Sequence, residues 1–171
     1  RMSKAFVNPL VELAEYEELN KDLNRGKGPV QVSGCVDSQK VHLMQEAGET
    51  LPWKLVITYN DTRAKELYED FRCFCDQVWL YPAKDLLFYN ADIHGNLMTR
   101  QRMQVIRRLI ENEGGVVVTT LDGIMDHLLP LSLLKAQIIK VEQGETIDVE
   151  EWKKRLVTLG YERMSQVDGM G

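Results

Sequence analysis

The sequence has little of what would hold a small fold together from outside. Only three cysteines occur, Cys35, Cys73 and Cys75. The count is odd and the closest two are one residue apart, so no disulfide framework is expected and a reducing compartment suits the chain. The three histidines, His42, His94 and His127, are scattered, with no Cys or carboxylate at ligand spacing, and Cys73-Phe74-Cys75 lacks the second pair a zinc site requires. No metal is expected, and Cys75 reads as a core residue. No apolar run approaches the roughly 20 residues that span a bilayer, and no basic-then-apolar leader opens the chain. The expectation is a soluble, cytoplasmic chain with no membrane partner. A surplus of positive charge is also missing. The net charge of −5 argues against wholesale coating of nucleic acid, which relies on clustered Lys and Arg releasing counterions; a local basic face stays open. Repeats and low-complexity segments are absent.

What is present suits a packed core. Hydrophobic residues make up 44% of the 171 residues and charged residues 27%. That length fits one sizeable domain, or one domain and the beginning of a second.

Apolar spacing predicts helices over Pro9–Leu23, from Ser38 to near Gly48, along the stripe Ala64, Leu67, Tyr68, Phe71 and Cys75, and over Leu97–Glu113 with Met98, Val105, Ile106, Leu109 and Ile110 inward. Short apolar runs predict strands at Val30–Val32, Lys54–Thr58, Val78–Tyr81 and Val116–Thr119. Asn60 stands where it can cap the third helix. Strands alternating with helices indicate a parallel sheet, because parallel neighbours need a crossover. Residues 1–130 therefore read as an α/β layered domain of the P-loop type. Beyond Pro130 the texture changes. A strand at Gln137–Val141, a turn at Gly144, and Asp148 with Glu151 as a capping box for a helix over Val149–Leu159 suggest that residues 131–171 are the first part of a small α+β subdomain. Met164–Val167 reads as extended.

A strand, a glycine turn and a helix near the start of an α/β domain is where phosphate usually binds, cradled by backbone N–H groups at the helix start. Here the segment is Gln31-Val32-Ser33-Gly34-Cys35-Val36-Asp37-Ser38. A working loop needs flanking glycines, a Lys for the β- and γ-phosphates and a Ser or Thr for Mg²⁺. Ser38 falls at the hydroxyl position and Gly34 survives, but Asp37 holds the lysine position, and Gln31 and Val36 hold glycine positions. A carboxylate there repels a nucleotide. No Asp-Glu pair follows an apolar strand as a second metal-holding motif, since Asp122 comes late and alone. Ser33, Gly34, Asp37 and Ser38 thus read as a degenerate phosphate loop in which Ser33-Gly34 turns the chain and Asp37 or Ser38 caps the helix. The alternative is an active P-loop ATPase or helicase half with an unorthodox loop, and Asp37 speaks against it.

With these elements in this order, Leu80-Tyr81-Pro82-Ala83-Lys84-Asp85-Leu86 resembles the "LYPA-D-L" stretch of the bacterial transcription-repair coupling factors (Mfd). So do Arg100-Gln101-Arg102, Val116-Val117-Val118-Thr119-Thr120, Leu128-Leu129-Pro130 and Arg155-Leu156-Val157 followed by Gly160-Tyr161-Glu162-Arg163. The resemblance runs from about Val30 onward. It implies an amino-terminal region similar to UvrB, with a domain 1a-like α/β layer that has lost ATP hydrolysis. ATP and Mg²⁺ serve a distant motor module of the parent polypeptide, so no cofactor is implied for this region. The parent is implied to be an ATP-dependent DNA translocase that pushes stalled RNA polymerase off damaged DNA and recruits UvrA for nucleotide excision repair. This region would then be non-catalytic, docking UvrA through its second subdomain and helping autoinhibit the parent through contacts with the rest of the polypeptide.

Two departures qualify that picture. UvrB has a long aromatic-rich β-hairpin between the strand matching Val78–Tyr81 and the following helix. Only Pro82–Asn96 intervenes here, with Phe88 and Tyr89 as its aromatics, so no damage-specific strand separation is expected. The family also continues past Gly169-Met170-Gly171 with an Arg- and Gly-rich strand before returning to the first domain, so part of the docking surface is expected to lie beyond Gly171.

Arg163 falls where UvrB has an arginine two residues after a tyrosine, and resembles a UvrA contact; such a planar fork can be an interfacial anchor. Glu145 and Thr146 stand where some relatives are basic. Arg100, Arg102, Arg107 and Arg108 are candidates for DNA-backbone contact, though at about 100° per residue they do not share one side, and a solvated helix face is the simpler reading. Trp53, Trp79 and Trp152 sit at element edges; Trp152, on an amphipathic helix, is a candidate interface anchor, with partial burial against the neighbouring strand the simpler reading. An unrelated α/β ligand-binding domain is the third reading.

Overall fold

The computed structural model describes residues 8–26, 28–47, 50–83, 92–125 and 130–158. The chain divides into two compact units, residues 1–127 and 128–171, each described by itself.

In the first unit, three apolar runs bounded by turn residues become the strands β1 (Trp53–Thr58), β2 (Val78–Tyr81) and β3 (Gly115–Thr120). They form an all-parallel sheet in the order β1-β3-β2. Before them come the helices α1 (Asn8–Val11), α2 (Ala14–Asn24) and α3 (Asp37–Glu46). Between the strands run the crossover helices α4 (Asp61–Arg72) and α5 (Asp92–Glu111), and α6 (Leu121–Met125) follows β3 directly. The parallel α/β expectation is met in this three-stranded form.

Register fixes the two faces of the sheet. Leu55 lies opposite Val117, and Val117 opposite Trp79. Because side chains alternate along a strand, Val56, Val78, Leu80, Val116 and Val118 share one face, and Leu55, Ile57, Trp79, Tyr81 and Val117 the other. The first face carries the core: Val78, Val116 and Val118 pack with Ala64, Leu67 and Phe71 of α4 and Val41 of α3. These are the positions spaced along the predicted α4 stripe, and each large apolar side chain buried there contributes about 1.5–3 kcal/mol. Asn60 caps α4, its Oδ1 accepting from the Arg63 N–H at 2.7 Å, as its position predicted. On the opposite face α5 meets β2, where the Arg102 guanidinium lies 4.4 Å from the centre of the Tyr81 ring.

The turn from α5 into β3 is tight. Asn112 and Gly114 have φ of 54° and 76°, and Gly115 has φ of 140°. A Cβ on Gly115 would lie 2.3 Å from the Trp79 ring and 2.5 Å from the Gln77 carbonyl oxygen, so glycine is required for close approach as well as for conformation. Trp53 closes this corner, donating from Nε1 to Asn112 Oδ1 at 3.2 Å and meeting Trp79 at 5.6 Å between ring centroids.

Several expected elements change. The first helix divides into α1 and α2 around Glu12-Leu13, and the fifth begins at Asp92 rather than Leu97. Val30–Val32 is not a strand; both valines are well exposed, at 40% and 50%. Pro29 just before the run has no N–H to extend a ladder, and no partner strand among the described residues takes up the run's backbone.

In the second unit, α7 (Leu131–Gln137) and α8 (Val149–Thr158) are helices. Asp148 Oδ1 accepts from the N–H groups of Glu150 and Glu151 at 2.9 and 3.2 Å, which supplies the expected start signal. The strand expected over Gln137–Val141 does not form: Gln137 ends α7, and residues 138–148 contain no strand. Ile138 and Val141 are exposed, and among the described residues no neighbouring strand takes up their apolar run. Arg163, Phe88, Tyr89, His94's side chain and the extended reading of Met164–Val167 lie outside the described residues.

Candidate functional site

The degenerate loop is the first candidate, and its geometry follows from where α3 begins. Val36 holds the cap position of α3 in extended conformation, and its N–H donates to Gln39 Oε1 at 3.2 Å. Gln39 therefore supplies a capping bond at the start of α3, where Asp37 or Ser38 was expected to. Asp37 is released for other partners. Its Oδ1 accepts from Lys40 Nζ at 3.0 Å, one turn on, and pairs with Arg63 Nη2 of α4 at 3.1 Å. Lys40 first and Arg63 second hold the Asp37 carboxyl below the ordinary aspartate range, since opposite charge and hydrogen bonding favour the ionised form.

Arg63, half turned into the protein, also donates from Nη1 to Glu66 Oε2 at 2.8 Å. That bond is the main reason its guanidinium pKa is raised, with Asp37 contributing. The result is a chain of charges, Lys40–Asp37–Arg63–Glu66, in which each cation already has a carboxylate. These residues border an open recess of about 460 Å³ with Thr58 and Tyr59, at the carboxyl end of β1. In open parallel sheets that end of the strands is where ligands usually sit.

Ser33, Gly34 and Cys35 border a second recess, of about 530 Å³, with Leu19, Leu43 and Met44, and the Ser38 side chain lies outside the described residues. Gly34 takes φ of 82°, the left-handed turn its position suggested. The segment leading into it, residues 28–36, is outside the sheet. The two recesses adjoin through Lys40 and Met44, and residues 28–36 lack the strand that would aim backbone N–H groups at a phosphate. Nothing in the sequence flagged Arg63; the only available signal was its place three residues past Asn60 and three before Glu66.

The arginines of α5 are the second candidate, and the structure separates them. Arg102 is turned inward, only 6% exposed, and donates from Nη1 to the Pro82 carbonyl at 3.0 Å. Its guanidinium is therefore turned away from the solvent side of the helix on which Arg107 is exposed. Arg107 is exposed and donates from Nε to Glu111 at 2.9 Å, which raises its pKa. Arg108 pairs with Glu113 and lies 3.9 Å from Glu111. Arg100 is exposed. Arg107 and Arg108 thus stand beside acids that offset their charge.

Among the described residues no group of three or more His, Cys, Asp or Glu side chains could hold a metal ion, and the three cysteines are unpaired thiols. No described helix is long and apolar enough to cross a membrane. In the second unit, α8 has no buried residue; Val149 and Val157 are exposed and Trp152 is partly buried.

Comparison with known proteins gives one consistent result. The chain is 31% identical over 149 residues to a transcription-repair-coupling factor of Staphylococcus haemolyticus (strain JCSC1435), covering 85% of this chain and 13% of that protein. It is 26% identical over 167 residues to the transcription-repair-coupling factor of Staphylococcus aureus (strain USA300), covering 95% of this chain and 14% of that protein, and the protein of the bovine strain RF122 matches over the same span. The chain therefore spans about a seventh of the length of these relatives. No family model matches, and no solved structure matches.

Proposed function

We propose that this chain, a relative of the transcription-repair coupling factors, is a non-catalytic docking module of a longer repair protein. In this reading it has no nucleotide of its own. ATP and Mg²⁺ serve a motor module elsewhere in a polypeptide that translocates on DNA and displaces stalled RNA polymerase. The module recruits UvrA through the second unit, with Arg163 as a contact, and contributes to autoinhibition by packing against the rest of the polypeptide.

The observation that carries the non-catalytic half is the state of Asp37. A working phosphate loop offers an unneutralised ammonium to the β- and γ-phosphates. Here the equivalent position is a carboxylate that already engages Lys40 and Arg63, and an incoming triphosphate would have to compete with it for both cations. The docking half rests on the likeness to the coupling factors over 85–95% of the chain and on the motif around Tyr161 and Arg163. The exposed Val149 and Val157 on α8 give the second unit apolar surface to offer.

The docking half is tested by measuring UvrA affinity in a polypeptide that includes the complete second subdomain. Arg163→Glu is expected to weaken UvrA binding at least ~10-fold, as reversal of an interfacial arginine does. Unchanged affinity would remove Arg163 from the interface.

A further inference from the structure

The anion that Lys40 and Arg63 hold is one of the chain's own. A single oxygen, Asp37 Oδ1, meets both cations, accepting from Lys40 Nζ at 3.0 Å and facing Arg63 Nη2 at 3.1 Å. Lys40 comes from α3 and Arg63 from α4, so the fork around that oxygen is made by two helices.

The members of this fork are held to different degrees. The Arg63 side chain is only 18% exposed and is fixed by Glu66 as well, while its backbone N–H is taken up by the Asn60 cap. The Asp37 side chain is 68% exposed. A carboxylate so open to water gains little from pairing, because the charges are screened and side-chain freedom is lost. The guanidinium is thus built in, and the anion opposite it is readily exchanged. The surroundings suit an oxyanion. The first turn of α3, where Asp37 stands, adds partial positive charge. Thr58 and Tyr59 bring hydroxyl groups to the same open recess of about 460 Å³. Two cations and two carboxylates balance there, so without Asp37 the recess carries net positive charge.

We infer that Lys40 and Arg63 form a binding site for a small phosphate-class oxyanion, and that the Asp37 carboxylate is its built-in occupant. The inference rests on the reading that this loop holds no nucleotide, and it gives that reading a cause. The cations that could hold a phosphate are present, and the chain's own carboxylate stands in for the ligand. Asp37 is then an intramolecular competitor, and the site opens when that carboxylate is removed or displaced.

The test is calorimetric titration of inorganic pyrophosphate, at fixed ionic strength, into the 171-residue chain and its Asp37→Asn variant. The variant is expected to bind at least ~10-fold more tightly, since two charge-assisted contacts are freed and each accounts for a few-fold at this exposure. Adding Lys40→Gln or Arg63→Gln to Asp37→Asn is expected to return the affinity to that of the unmutated chain. Equal affinity in the unmutated chain and Asp37→Asn overturns the inference. If both are weak, the reading without nucleotide stands; if both are tight, it falls as well. Tighter binding that survives both added substitutions puts the anion elsewhere and overturns the inference equally. A second measurement needs no variant. In the unmutated chain, excess pyrophosphate is expected to shift the Asp37 carboxyl and Arg63 Nε–H resonances together, where chloride at equal ionic strength does not. No shift at either group overturns the inference.

Discussion

Arg102 is the residue at which the structure and the nucleic-acid reading of α5 part most sharply, and Arg102→Met separates them. Methionine keeps much of the apolar stem and removes the guanidinium. That group is almost fully buried, donates to the Pro82 carbonyl at 3.0 Å and lies 4.4 Å from the Tyr81 ring centre. A hydrogen bond from a charged group is worth about 1.5–3 kcal/mol, and a largely desolvated cation–π contact about 1–2 kcal/mol. Tyr81 and Pro82 are neighbours, so the two contributions overlap, and the expected loss is about 2–4 kcal/mol. The assay is urea unfolding by fluorescence in a Trp152→Phe background, so that Trp53 and Trp79 report on the first unit. At a slope of about 1.5 kcal/mol per molar, within the range of small proteins, the midpoint should fall by roughly 1.3–2.7 M. Duplex DNA binding, if any is measurable, should keep its salt dependence. A midpoint within about 0.3 M of the parent, with a shallower salt dependence of DNA binding, would mean that Arg102 faces phosphate and that its inward placement is wrong.

Two further outcomes follow from the corner and the loop. Gly115→Ala places a methyl group against the Gln77 carbonyl and the Trp79 ring at a φ that alanine avoids; it is expected to cost at least ~3 kcal/mol, read as loss of the cooperative unfolding transition of the first unit. For Asp37, Lys40 and then Arg63 depress the folded-state pKa, so its ionised form favours folding above the ordinary aspartate value of about 4. That advantage is lost as pH falls through the depressed value. The difference in unfolding midpoint between the parent and Asp37→Asn should therefore be full at neutral pH, shrink below about pH 4, and shrink also with added salt. A difference that grew on acidification would contradict the pairing.

The sheet was legible because its strands are short apolar runs between strong turn signals. Lys54–Thr58 after Pro52 and Val116–Thr119 after Gly114-Gly115 carry strong strand signals, and the Ala64, Leu67, Phe71 stripe marks the face of α4 that is buried. Val30–Val32 and Gln137–Val141 were misread for a common reason. Apolar alternation reports that a segment can sit in a sheet, while forming one depends on a partner strand to hold its backbone, which a local window does not contain. The arginines of α5 show the same limit on side chains. Spacing indicated that they diverge around the helix, but that Arg102 is the one turned inward follows from Tyr81 and Pro82, twenty residues away. At the loop, the chemistry of Asp37 was visible as a departure from a motif. Its partner Arg63 was not, because the pairing depends on how α3 packs beside α4.

The central claim is that this chain docks and does not hydrolyse, and calorimetric titration of the 171-residue chain with Mg·ATP tests it most directly. The account predicts no heat of binding up to millimolar nucleotide, alongside retained capture of UvrA by a polypeptide with the complete second subdomain. Saturable binding of Mg·ATP, abolished by charge reversal at Lys40 or Arg63, would contradict it and return the helicase-half reading to the front.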